Sequence, residues 1–378
     1  MPLHLLRRRV AEASSRDYAV GVNRLAFSAL LLAFLPAPTP APAQDVHVRV
    51  EPHAAASSPG KPGGEAQTTF PTIQNALDHH PFAGPGGRVL IEIAPGTYHE
   101  RIIVTQNHQN ITFIGTGAKP EDTVITNSLN AKTAGGTFFT ETAEINGDGF
   151  EADNLTFENT AGNTGQAVAA AVRADRAVFK KVRFLGHQDT LFADYGRQYY
   201  LDCFITGGVD FIFGNAAAVF DHSELNSNGP GFLTAQSRTD PKQPTGYVIL
   251  NSRVTSSIDQ TEAPMDPATP GAKSSASAKK MIGLGRPWRP YSRVVYINTE
   301  LPADMNPLGW NNWGAPANES TAWYAEFGST GPGAPSSASP RVPWAHALTP
   351  LQVKEFLPAI FLRGADNWNP EAVAAKLP

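Results

Sequence analysis

NLTFEN (154–159), KVRFLG (181–186), DCFITG (202–207), HSELNS (222–227) and NSRVTS (251–256) are five versions of one phrase. Each opens on a polar residue, alternates apolar and polar side chains through a short run, and closes on a small or polar residue. Their starts, at 154, 181, 202, 222 and 251, are 27, 21, 20 and 29 residues apart. A strand-rich unit repeating every 20 to 30 residues is a solenoid, because one unit cannot bury its apolar face alone and must stack on the next. A leucine-rich repeat would need its L-x-x-L-x-L pattern, which is absent, and a propeller blade needs four strands in about 40 residues. What remains is an all-β architecture, a single-stranded parallel β-helix. Its crossovers are expected to be right-handed.

Around this core, further β-branched and aromatic runs extend the pattern from Val89 to about Tyr296, separated by Gly/Asn turns. The 33 Gly and 32 Pro, about one residue in six, fit coil corners and loops; within a helix each would cost roughly 1 or 3 kcal/mol. Pro71 to His80 predicts a short helix, with Pro71 at its first position and Ile73, Ala76 and Leu77 on one face. Thr349 to Arg363 predicts a second, with a Thr349/Gln352 capping box and an apolar face of Phe356, Leu357, Ile360 and Phe361. Residues 256–280 read as an exposed excursion, and 44–68 as a flexible N-terminal segment that opens on an alternating piece, His47 to Val50. The β-helix domain is expected over 69–370.

The first 43 residues read differently. Arg7, Arg8, Arg9, Arg16 and Arg24 precede the apolar run Leu25–Leu35, and Ala41-Pro42-Ala43 offers a cleavage site. This is the pattern of a secretory signal peptide cut after Ala43. The apolar run is too short for the ~20 residues of a spanning helix, so no membrane span is expected in the mature chain. Removing five basic and two acidic residues takes the formal charge from −4 to −7. That argues against nucleic acid, whose affinity rests on basic residues. The single Cys203 excludes an internal disulfide and a Cys-rich metal module.

The period also aligns polar side chains. Gln166, Gln188 with Asp189, and Asp210 stand about one coil apart, so they are expected to stack at nearly one angle around the solenoid. With strands ~4.8 Å apart, Asp189 and Asp210 would interact strongly, which raises one carboxyl's pKa while the other stays ionised. That split suits a nucleophile beside a general acid. A purely architectural reading stands next to it: Gln166 as a hydrogen-bonded ladder residue, Asp210 as a turn residue, Arg286 as a strand cap and Trp288 as core.

GTYHE (96–100), QAVA (166–169), GHQDTLF (186–192), VDFIFGNAA (209–217), LGRPW (284–288) and WYAEFGSTGPG (323–333), in this order, resemble the pectin methylesterase family, here of a bacterial secreted type. The resemblance covers about Thr69 to Pro370. It implies a right-handed β-helix and hydrolysis of galacturonate methyl esters in pectin, the partner being methylated homogalacturonan and the enzyme a monomer that needs no metal or cofactor. It implies Asp210 as nucleophile, Asp189 as acid and then base, Gln188 and Gln166 as oxyanion donors, and Arg286 as the residue holding Asp210. Trp288 would contact the sugar ring, as would Thr137, whose GGTFFTET region (135–142) matches only loosely. His187 departs from the family, which usually has Tyr there. The alternatives are a pectin-chain hydrolase or lyase on the same fold, a non-catalytic wall-binding β-helix, or an acyl-thioester hydrolase.

Overall fold

The structure, a computed structural model, describes residues 45–52, 68–258, 281–338 and 340–378. The leader at 1–43, most of the 44–68 segment and most of the 256–280 excursion lie outside these residues.

The alternating phrases form the rungs of a three-sided parallel β-helix. Its first sheet has twelve strands, and its second and third have seven each. Successive first-sheet rungs pair in parallel as Asp153↔Lys180, Lys180↔Leu201, Leu201↔Asp221 and Asp221↔Leu250. The register therefore advances by 27, 21, 20 and 29 residues, the spacing of the five phrases.

The phrase initials are corners. Asn154, Lys181, Asp202, His222 and Asn251 adopt left-handed backbone, with φ between 48° and 56°, where each first-sheet strand gives way to a second-sheet strand, and Asn298 (φ 50°) turns the chain in the same way after the first-sheet strand Arg293–Ile297. One residue with positive φ turns the chain sharply. Asn and Asp tolerate that region best among residues with a side chain. The Asn154 amide donates to the carbonyls of Gly115 (2.9 Å) and Gly117 (2.8 Å), tying the corner to the coil before it. Gly115 must be glycine there: a Cβ would lie 2.0 Å from the Asn154 carbonyl oxygen.

Inside the coils, one side chain per rung stacks on its neighbour. Phe179 and Tyr200 lie 4.8 Å apart and Tyr200 and Phe220 4.6 Å, both nearly coplanar. These distances match the strand spacing, so the core grows along one axis and needs no second domain. Outward residues of the first sheet (Val178, Tyr199, Val219, Val248, Val295) form a separate apolar face. Leu348, Phe356, Leu362, Ala374 and Leu377 of the C-terminal segment cover it.

Three expectations are corrected. Residues 44–68 are not flexible from their start: Val46–Val50 pairs with Val89–Ile93 in the first sheet, because Val48 and Val50 point into the core while Arg49 faces out. The first helix is Ile73–His79, capped by Thr72, whose hydroxyl accepts from the Asn75 N–H; Pro71 lies outside it. The helix expected over 349–363 is three short pieces, Pro350–Val353, Lys354–Phe356 and Pro358–Phe361. Pro358 drives Leu357 into extended backbone (φ −64°, ψ 141°), since the residue before a proline clashes in the helical region. Phe356 and Phe361 pack inward as expected, but Leu357 and Ile360 are exposed.

Candidate active site

The third sheet supplies the floor. Along its strands Leu191, Ala193 and Ile212 point to the core, so Phe192 and Phe213 must point out. With Val168, Ala171 and Ala235 they form an apolar strip on which Trp288 and Trp313 pack. The rings of Phe192 and Phe213 stack at 4.6 Å, Phe213 meets Trp288 at 5.9 Å, and Phe138 continues the line at 4.9 Å from Phe192. Phe192 and Phe213 lie inside quoted motifs, yet only the tertiary alternation marks them as outward. Trp313 had no signal beyond being a tryptophan.

The carboxylates sit where the chain turns onto this sheet. Asp189 (φ 62°) and Asp210 (φ 48°) are both left-handed, a conformation disfavoured by roughly 1–2 kcal/mol for most L-residues. Asp189 donates its backbone N–H to the Val209 carbonyl (3.1 Å), and Asp210 to Phe232 (2.7 Å). Parallel bridges join Gln166 to Gln188 and Gln188 to Val209. The two glutamines and the two aspartates thus occupy consecutive rungs, with Asp189 and Asp210 one position along from the Gln188–Val209 bridge. Among the described residues, neither Gln166 nor Gln188 has its side-chain amide tied into a protein hydrogen bond.

Arg286 arrives from two coils further on, its backbone N–H donating to the Thr234 carbonyl of the intervening coil at 3.0 Å. Its Nε donates to Asp210 Oδ1 (2.9 Å) and its Nη2 to Oδ2 (2.6 Å). The guanidinium carbon lies 3.9 Å from the Trp313 ring centre and 5.0 Å from that of Phe232. Both side chains of the pair are under a tenth exposed. A bidentate, charge-assisted pair of this kind takes the carboxylate, not the acid. Asp189 is in the opposite condition: burial first, and the Asp210 carboxylate second, push its pKa well above the usual carboxyl range, with Arg286 opposing. The two carboxyls are chemically unlike, one paired as a carboxylate and the other pushed toward its protonated form.

Trp288 follows Arg286 by two residues and lies on the aromatic strip. Thr137 lies in a short 3-10 turn, Thr137–Phe139, whose carbonyl accepts from the Thr140 hydroxyl at 2.7 Å. It neighbours Phe138 on the strip but has no hydrogen bond to either aspartate. The His187 ring fills space left by two glycines, since a Cβ on Gly208 or Gly229 would meet it at 2.6 or 2.9 Å. Among the described residues no group of three or more His, Cys, Asp or Glu could hold a metal ion, and no helix is long and apolar enough to cross a membrane.

A sequence model of the family described as Pectinesterase matches residues 63–365. Pectinesterase 2 of Citrus sinensis is 42% identical over 307 residues, covering 79% of this chain and 56% of that protein. Pectinesterase 31 of Arabidopsis thaliana is 38% identical over 297 residues, 76% of this chain and 86% of that protein. The chain therefore spans little more than half the length of the Citrus relative but most of the Arabidopsis one. Among solved structures, a pectin methylesterase from carrot superposes with a TM-score of 0.70 at 34% identity, over 80% of this chain and 92% of that one. By sequence and by fold, the chain belongs to the pectinesterase family.

Proposed function

We propose that this protein hydrolyses methyl esters of galacturonate in pectin, releasing methanol and leaving the free acid. The observation that carries the reading is the split between two carboxyls on adjacent rungs: Asp210 clamped as a carboxylate by Arg286, and Asp189 kept protonated by burial and by Asp210. A nucleophile and a proton donor are needed at one ester, and this is how a protein provides both at one pH.

In the proposed cycle an Asp210 oxygen attacks the ester carbonyl carbon, and the carbonyl electrons move onto its oxygen. The amides of Gln188 and Gln166 donate to that oxyanion. Collapse breaks the carbon–methoxy bond, Asp189 gives its proton to the departing oxygen, and methanol leaves an acyl-Asp210 anhydride. Water then attacks the acyl carbon while Asp189, now a carboxylate, takes its proton. The second collapse returns Asp210 and frees the galacturonate. Arg286 keeps Asp210 oriented and charged between turnovers. Trp288 and Thr137 flank the sugar along the aromatic strip.

The same reading treats residues 1–43 as a leader removed after Ala43, and the mature chain as a monomeric β-helix of a bacterial secreted type. A mature charge of −7 gives no global attraction to the anionic product, so recognition rests on the cleft. The test is methanol release from methylated pectin with chain length followed in parallel. Methanol at constant chain length supports the esterase; falling viscosity without methanol would transfer the site to a chain-cleaving enzyme.

A further inference from the structure

Two arginines outside the Asp189–Asp210 pair, Arg238 and Arg293, have no ion-pair partner among the described residues. Arg238 is 7% exposed and Arg293 is half-buried. The Nε of each is sealed from solvent and without a hydrogen-bond partner. Gln236 brings them together: its carboxamide oxygen accepts the backbone N–H of Arg238 at 3.0 Å and of Arg293 at 2.9 Å. The Arg293 side chain lies over Gly246, where a Cβ would sit 2.6 Å from its Nε, and under the Phe361 ring of the C-terminal segment at 5.1 Å. Asp240 is exposed, accepts from the Lys242 N–H, and makes no ion pair with either arginine, although its charge acts on Arg238 and partly offsets the effect of burial there. Among the described residues no carboxylate comes within ion-pair distance of the two guanidiniums.

Two like charges sharing a poorly solvated corner repel, and a buried cation without a partner is strongly disfavoured. Burial, and for Arg293 also the Arg238 charge, depress both pKa values, that of Arg293 to about 10. Both groups still carry a proton at neutral pH, so the corner holds a surplus of positive charge. Guanidinium forks match planar or tetrahedral oxyanions through paired N–H donors.

We infer that Arg238 and Arg293 form a site for a small oxyanion, either an inorganic one such as sulfate or the carboxylate of a uronic acid, bound at the crevice where Phe361 meets the coils. Binding there would fasten the C-terminal segment to the solenoid.

The test is thermal unfolding of the full chain at constant ionic strength in chloride while sulfate is titrated to millimolar levels. The wild type is expected to gain roughly 2–4 °C in a saturable manner, and Arg238→Met and Arg293→Met to lose that gain. In sulfate-free buffer both variants should be at least as stable as the wild type, because repulsion is removed; a merely architectural arginine would give the opposite. Replacing sulfate with digalacturonate identifies the source: a gain larger in the wild type than in Arg293→Met assigns the uronate, and a gain with sulfate alone assigns the inorganic ion. Equal responses in all three proteins, or none, would overturn the site. Should the variants not fold, crystals soaked in selenate decide it. An anomalous peak between the two guanidiniums supports the site, and its absence removes it.

Discussion

Arg286 reaches across 76 positions of chain to donate to both carboxylate oxygens of Asp210, with its guanidinium laid against the Trp313 ring. The pair is buried, so each charge depends on the other. Arg286→Met should destabilise the protein by about 3–5 kcal/mol, because it strands a buried carboxylate. Adding Asp210→Asn to that variant should recover most of the loss. Urea unfolding of the two single variants and the double variant measures the coupling.

Asp210→Asn should lower methanol release from methylated pectin by at least ~10⁴-fold, since the proposed nucleophile is removed. Far-ultraviolet dichroism should stay that of the wild type. Full activity in this variant would remove Asp210 from the mechanism.

Gln188→Ala should lower kcat by about 10²–10³ and leave KM nearly unchanged, the mark of a donor that acts on the oxyanion. An effect confined to KM would make Gln188 a substrate-binding group.

Asp189 carries a raised pKa in the folded state, so folding takes up a proton above the ordinary carboxyl range. Its contribution to stability therefore falls as pH rises from the unfolded-state pKa, about 3.9, toward the folded one. Asp189→Asn keeps the neutral shape without this dependence. It should be inactive by ~10²–10⁴-fold and melt at a higher temperature than wild type at pH 7, the gap closing below pH 4.

Lys181 holds a left-handed corner (φ 52°) where Asn stands at Asn154, Asn251 and Asn298. Lys181→Asn should stabilise the fold by about 0.5–1 kcal/mol, because Asn meets less of the penalty for that conformation. Unfolding midpoints in denaturant measure it. A loss of stability would show that the Lys181 side-chain contact with Pro378 outweighs the backbone term.

Much of this was written in the order of residues. The repeat spacing of 27, 21, 20 and 29 is a local property, since each coil must return to the same corner, and the register reproduced it. The same periodicity places Gln166, Gln188, Asp189 and Asp210 on consecutive rungs, and the bridges Gln166↔Gln188 and Gln188↔Val209 agree. The break in the C-terminal helix is a local property too, because Pro358 forbids helical backbone at Leu357.

What the order of residues could not decide was which side chains face one another across the coils. The grip of Arg286 on Asp210 joins residues two rungs and a long loop apart, and only the family resemblance points to it in the sequence. The Trp313 wall on Arg286, and the outward turn of Phe192 and Phe213, depend on alternation measured from corners whose positions only the fold sets. The raised pKa of Asp189 is the clearest case. Its sequence neighbours are Gln188 and Thr190, and neither carries charge; what raises its pKa is burial and a carboxylate one rung away, both products of the stack. Sequence determined the period and the corners because these are short-range backbone preferences. The tertiary structure decided the chemistry, because charge and burial act through space.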